Sequence, residues 1–527
     1  MGKFKLTDIE DARKTFSSFK EKEFREQQIK ALRFISESER KVQVINAPPG
    51  SGKSLIGMTL ARVFGGATYL CSSKILQDQI EAEFPEVKVM KGRNNFPCLL
   101  RPMLTADLCT HSKENPCVHK RVDCPYEMQK KSVLRWPIRV LNYPYFLFEA
   151  NYVGDFSGPS TVICDEADTL KDAIANFVNL TVSLRAVQFF KFPEPGRKTA
   201  QAKDGPEQWK QWAITCIGIL SAHKKKLKYT IDEWPENEMS NPQFATTMRE
   251  MKRTEMLIGQ MQILYRYVDE TWVWQRTERD WIFRPIWLNE ELSEEYFFQH
   301  GSNFVMMSGT FPPPMVIAKQ TGIPLDEIDY MELPSPFPVE NRWIVCRREY
   351  DLSRKTADSA VPAMKKAIKK ILDSHPDEKG IIHAVSYKYA SEIMSIGDRR
   401  LITHDSKNRD EVIAEFKESD KPLVLVSPII TRGVDLPDDL CRFIIWAKAP
   451  FLDLSDEVTS RRVFSGVFGN FWYRSECAQT IVQGSGRGVR HFGDRCITYL
   501  LDGLAIKLIT EHPLMFPEWF RDAMKFE

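Results

Sequence analysis

The chain has 527 residues, enough for roughly three or four domains, and is 43% hydrophobic and 27% charged, a balance that excludes extended disorder or a collagen-like repeat. Its formal charge of +2 excludes attraction to polyanions by net charge alone, so contact with nucleic acid must come from local grooves. No apolar run approaches the ~18 residues that span a bilayer, and Met1 to Lys20 lacks the apolar core of a signal peptide. A cytoplasmic protein without membrane partners is expected, nucleoid-associated in a bacterial or phage setting.

Val42 to Ile45 reads as a short buried strand, followed by Ala47-Pro-Pro-Gly-Ser-Gly-Lys-Ser54 and a helical pattern from Leu55. Gly50 and Gly52, flanking Ser51, let backbone N–H groups curl around phosphates at a helix N-terminus. Lys53 can then reach the β- and γ-phosphates of ATP, and Ser54 can ligate Mg2+. Ala47 stands where the first glycine of this loop is usual. A glycine turn without function is the alternative, which the strand, loop and helix order disfavours.

Four cysteines, Cys98, Cys109, Cys117 and Cys124, follow with gaps of 10, 7 and 6 residues. A disulfide framework is not expected in a reducing compartment. None of the gaps gives the short Cys-x₂₋₄-Cys pair of structural zinc sites, and four thiolates that converge can instead hold an iron–sulfur cluster. His111 and His119 keep a mixed zinc site open, although both adjoin polar residues and read as exposed loop histidines. Cys71 and Cys164 lie in apolar runs and read as small buried hydrophobes.

Thr161 to Asp165 is a second buried strand, ending in the box Asp165-Glu-Ala-Asp168. Asp165 is the candidate Mg2+ ligand, and Glu166 the group that orients and deprotonates an attacking water. An acidic helix N-cap is the competing reading, and the phosphate loop upstream favours catalysis. About 140 residues then precede Ser308. Met248 to Tyr267 has helical periodicity, Trp272, Trp274, Trp281 and Trp287 suggest a strand-rich return, and core packing is the default role of these tryptophans. Farther on, Lys421 to Val426 and Phe443 to Trp446 read as buried strands, which with intervening helices imply a second parallel α/β sheet. Arg487 and Arg490 are three residues apart, on one side of a helix if that segment is helical, where they could grip a γ-phosphate across a cleft.

In this order the motifs resemble an iron–sulfur superfamily 2 DNA helicase of the XPD/DinG type. Arg25 to Gln28 looks like the family's adenine-contacting motif, Tyr69 to Gln79 the first strand-contacting motif, and Lys91 to Cys98 the entry to the cluster. Asn142 to Tyr145, Ser308 to Thr310, Ser386-Tyr387, Thr431 to Asp435, Ala449 to Phe451 and Gln483 to Arg490 continue the series. Departures are Asp168 for histidine, Gly309 for alanine and Arg432 for glutamate.

The resemblance implies two RecA-like parallel-sheet motor domains carrying an iron–sulfur domain and a mainly helical arch. The expected boundaries are 1–93, 142–176 and 295–335 for the first motor, 94–141 for the cluster domain, 177–294 for the arch and 336–527 for the second motor. It places Arg25, Gln28, Gly433, Asp435 and Gln483 with the nucleotide, a [4Fe–4S] cluster of scaffolding role on the four cysteines, and Arg487 and Arg490 as phosphate-gripping arginines. The implied activity is ATP-driven 5′ to 3′ translocation of a monomer on single-stranded DNA, with unwinding at duplex junctions and DNA–RNA hybrids as further candidates. An ATP-switched remodelling protein without unwinding is the alternative. No fused nuclease is expected ahead of the motor.

Overall fold

A computed structural model describes residues 3–101, 103–109, 117–119, 122–158, 160–196, 205–235, 241–353, 355–405, 407–428 and 436–527. The strands in chain order are β1 (Val42–Asn46), β2 (Ala67–Cys71), β3 (Lys88–Val89), β4 (Ile138–Asn142), β5 (Thr161–Asp165), β6 (Leu180–Ser183), β7 (Trp272–Arg276), β8 (Asp280–Pro285) and β9 (Asn303–Ser308). They continue as β10 (Ile328–Glu332), β11 (Ile344–Tyr350), β12 (Gly380–His383), β13 (Leu401–Thr403), β14 (Val424–Ser427), β15 (Phe443–Trp446), β16 (Ile497–Asp502) and β17 (Met524–Phe526).

Two seven-stranded sheets form, in the orders β10-β1-β9-β5-β2-β4-β3 and β13-β14-β12-β15-β16-β11-β17. Both are parallel throughout. Their strands are apolar on both faces because both faces are covered. In the first sheet Val42, Val44, Leu70, Val162 and Cys164 enter one core, while Ile45, Tyr69, Cys71 and Ile163 enter the core on the opposite face. The second sheet alternates likewise, with Ile381, Leu425 and Ile444 on one side and Ile382, Val424, Val426, Phe443 and Ile445 on the other. The result is two α/β domains of the doubly covered parallel type expected from the sequence.

Between β5 and β9 the chain leaves the first domain to build two long helices, Gly205–Asp232 and Pro242–Tyr267, and the antiparallel sheet β6-β8-β7. Trp272 and Trp281 are buried in that core, with Trp209 and Trp212 from the first helix packed edge-on or stacked on Phe283. Trp287 instead joins a separate cluster with Trp472 of the second domain. The strand read as Lys421 to Val426 begins only at Val424. Pro422 has no N–H to give a ladder, and Leu423 N–H turns back to the Lys421 carbonyl at 2.7 Å.

Candidate functional site

Parallel strands present their carboxyl ends on one edge, and here β1, β9 and β5 are adjacent, so three sequence motifs meet there. After β1, the Ala47 N–H donates to the Ser308 carbonyl at 2.7 Å, fixing the phosphate loop beside the end of β9. Gly50 and Gly52 take φ values of 75° and 80°, the left-handed region that favours glycine. A Cβ on Gly52 would also stand 2.2 Å from the Gln28 amide nitrogen, and one on Gly50 2.2 Å from the Phe337 ring. The helix Lys53–Val63 starts directly after this turn.

Arg25 and Gln28 brace the loop. Arg25 Nη1 donates to the Gly50 carbonyl at 2.7 Å and Gln28 Nε2 to the Ser51 carbonyl at 3.1 Å. Gln28 Oε1 in turn accepts from the Arg25 N–H at 2.9 Å, closing the start of their helix. The Arg25 guanidinium also lies over the Phe492 ring, 5.6 Å from its centre, joining the two α/β domains.

At the end of β5, Asp165 is buried and accepts a hydrogen bond from the Tyr69 hydroxyl at 2.9 Å. Burial pushes its carboxyl up, opposed by Lys53; burial pulls the Lys53 ammonium down, opposed by Asp165 and Glu166. Glu166 adopts φ 47°, a left-handed conformation rare outside glycine, and its carboxylate accepts from Ser72 Oγ at 2.9 Å. Asp168 accepts from Ser308 Oγ at 2.8 Å and Thr310 Oγ1 at 3.2 Å, so the box and the Ser308-Gly-Thr310 motif form one hydrogen-bonded unit.

The second domain closes over this edge. A cleft of about 160 Å³ is lined by Lys53, Glu166 and Asp168 from the first domain and Gln483, Arg487 and Arg490 from the second. The helix Val467–Ser485 stops before the arginines, so they sit on the turn beyond its C-terminus and not on one helix face. Gly484 fits against β12 and β15, where a Cβ would lie 2.3 Å from the Trp446 ring. Trp446 Nε1 holds Ser485 Oγ at 3.1 Å, which fixes the entry to that turn. Trp519, near the C-terminus, also lines the cleft; nothing in its local sequence marks it. Arg25, Gln28, Asp165 and Ser54 lie outside the cleft lining, and Gly433 and Asp435 lie outside the described residues.

Residues 368–523 match the helicase C-terminal domain family. Over its whole length the fold is similar to solved structures of an XPD helicase, at 15% identity and TM-score 0.61 with 96% of this chain and 100% of that chain covered, and of S. tokodaii Xpd4, at 15% identity and TM-score 0.56 with 95% and 98% covered. By fold, the chain is XPD-like. Curated relatives include the ATP-dependent DNA helicase CHL1 of Debaryomyces hansenii, 23% identical over 189 residues (29% of this chain, 23% of that protein), and that of Saccharomyces cerevisiae, 22% identical over 340 residues (54% and 40%). The chain therefore spans less than half the length of these relatives.

In this XPD-like fold the eleven cysteines divide by exposure. Seven are buried, whereas Cys98, Cys117 and Cys124 are half-buried and Cys109 is exposed. Packing explains the seven, since a free thiol behaves as a small hydrophobe, and leaves unexplained the four in sequence proximity. All are free thiols, a donor set whose softness fits iron–sulfur ligation. Cys98 sits in a short hairpin, its N–H donating to the Leu104 carbonyl at 2.9 Å, and Cys124 caps the helix Pro125–Leu134 while its N–H donates to the His119 carbonyl at 2.9 Å. His119 Nδ1 is engaged with Asp123 at 2.8 Å, and His111 lies outside the described residues. The hairpin docks on the second long helix through Asp107–Lys252 at 2.8 Å and through Leu104 and Leu108 against Phe244 and Met248. Among the described residues, no helix is long and apolar enough to cross a membrane.

Proposed function

We propose that this chain is an ATP-dependent DNA helicase that translocates 5′ to 3′ on single-stranded DNA and unwinds duplex at junctions. The observation that carries the reading is the shared cleft: phosphate-loop and acidic-box residues on one wall, Arg487 and Arg490 on the other. A nucleotide bound there is held by both domains, so its hydrolysis is linked to their opening and closing.

Gly50 to Lys53 would wrap the phosphates with backbone N–H groups, and the Lys53 ammonium would balance the γ-phosphate. Asp165 and Ser54 would hold Mg2+; the concentration of carboxylate at Asp165, Glu166 and Asp168 suits a hard cation, which would neutralise phosphate charge when bound. Glu166, held toward the cleft by Ser72, would orient the attacking water and take its proton. Arg487 and Arg490 would stabilise charge on the transferring phosphoryl group, and only in the closed cleft. Arg25, stacked on Phe492, would contact the base. The four exposed or half-buried cysteines would hold a [4Fe–4S] cluster, whose four bonds rigidify a segment with only a small apolar core of its own.

The test is strand displacement and ATP hydrolysis on 5′-tailed and 3′-tailed duplexes, comparing the parent with Lys53→Ala. The expected result is displacement of the 5′-tailed substrate alone, with both activities lost in the variant. Hydrolysis without displacement of either substrate would replace the helicase reading by an ATP-driven switch.

A further inference from the structure

One carboxylate of the second domain collects two side chains of the first. Glu476, on the helix Val467–Ser485, accepts from Lys171 Nζ at 2.6 Å and from Gln320 Nε2 at 2.5 Å. Lys171 lies on the helix Leu170–Val178, which begins two residues past the acidic box; Gln320 lies on Pro314–Thr321, which begins four residues past Thr310. The ion pair is largely withdrawn from water, with the two side chains 19% and 17% exposed. Both helices that leave the cleft motifs of the first domain are thus tied to a single point on the second.

The same helix face continues toward the cleft. Three residues on, Gln479 Nε2 donates to the Thr310 carbonyl at 2.5 Å, and four residues further Gln483 lines the cleft. Spacing of three and four puts all three on one stripe, spanning about 10 Å between Glu476 and Gln483 at 1.5 Å per residue. Thr310 in turn gives its hydroxyl to Asp168. A continuous polar path therefore runs from the acidic box, through Thr310, to the helix that ends two residues before Arg487.

We propose that Glu476 is a positioning residue whose pairing with Lys171 sets the closed arrangement of the two domains and thereby the placement of Arg487 over the phosphates; this rests on the helicase reading above. The pair crosses between domains, so opening the cleft would break it, and an interaction present in one state alone shifts the population toward that state. Glu476 does not line the cleft. Its effect falls on the closed state that hydrolysis needs, while ATP binding to the phosphate loop of the first domain is left in place.

The experiment uses the full chain with Glu476→Lys, Lys171→Glu, the double reversal and Glu476→Gln. Closure is read as energy transfer between dyes on unnatural residues, one in each α/β domain, with a non-hydrolysable ATP analogue; kcat and KM for DNA-stimulated hydrolysis and the melting temperature are read alongside. Each single reversal is expected to lower kcat at least tenfold and reduce the high-transfer population, with KM within about threefold. The double reversal should return kcat and closure to within about threefold of the parent. Failure of rescue in a double variant that melts like the parent would overturn the proposal, as would single reversals that close and turn over normally. If the reversals do not fold, Glu476→Gln decides: it keeps a neutral acceptor but loses the charge, so parental closure and kcat would overturn the proposal and a reduced closed population would support it. A parent that closes and hydrolyses ATP without displacing a strand would refute the helicase reading while leaving the closure measurement to judge Glu476.

Discussion

Gly484 and Gly218 both sit inside helices, Val467–Ser485 and Gly205–Asp232, yet alanine should act on them with opposite sign. The helix term alone favours alanine over glycine by about 0.5–1 kcal/mol at either position. At Gly218 nothing lies within 4 Å of an added Cβ, so that gain is realised. At Gly484 the Cβ would come 2.3 Å from Trp446 Cζ2 and 3.1 Å from His383 Nε2. Ordinary carbon contacts are about 3.5–4 Å, so the helix must retreat by about 1 Å. Trp446 and His383 end the buried strands β15 and β12 and cannot swing aside. Overpacking of this kind costs about 1–3 kcal/mol, which exceeds the helix gain and leaves a net loss of roughly 0.5–2 kcal/mol. The functional loss is larger, because Arg487 is three residues on and a displacement of about 1 Å can cost about 10²-fold in rate. Urea unfolding midpoints and steady-state ATPase rates measure both effects. Gly218→Ala should unfold later with parental kcat, and Gly484→Ala earlier with kcat about a hundredfold lower. A Gly484→Ala variant as stable and active as the parent would refute the reasoning.

Burial, with Arg487 nearby, pulls the His383 imidazole from 6.5 to about 3. Its folded pKa is depressed, so its contribution to stability is complete above pH 6.5 and falls as pH drops toward 3; roughly 1.5–2 kcal/mol should be lost between pH 6.5 and 5.0, a slope in the urea midpoint that His383→Gln should lack. Glu149, 0% exposed, takes Lys130 Nζ at 2.5 Å and the Tyr126 hydroxyl at 2.9 Å, pinning the helix after Cys124 to the first domain. Glu149→Ala should cost about 2–3 kcal/mol, less than the ~3–5 kcal/mol of a stranded buried charge because Asp155 still holds Lys130, and should speed proteolysis within residues 94–141. Cys98→Ser should lose iron and sulfide by chemical analysis and impair strand displacement while ATP affinity stays parental; equal loss of both would contradict a scaffolding role.

What could be read from the sequence was what local chemistry writes. The strands at Val42, Thr161 and Phe443 are legible because doubly covered strands carry apolar residues on both faces, and the phosphate loop because Gly50 and Gly52 must adopt backbone angles few residues tolerate. The turn carrying Arg487 and Arg490 was not, since whether a glycine-rich segment stays helical is settled by Trp446 and β12 beneath it. Glu476 and Trp519 were invisible for a related reason: Lys171 is 305 residues from Glu476, and only the folded cleft gives either residue a role.

Asp168 shows how such distance can turn an apparent defect into a consistent design. In the sequence it stood as a departure from the family's histidine. In the fold its two carboxylate oxygens accept one hydroxyl each, from Ser308 and Thr310. A neutral imidazole has a single acceptor nitrogen and could serve only one of them, leaving the other buried hydroxyl to find a new partner. The carboxylate and the two hydroxyls are therefore matched to one another, and the link from the acidic box to Thr310, and through Gln479 to the second domain, depends on that match and not on the identity of the fourth residue alone.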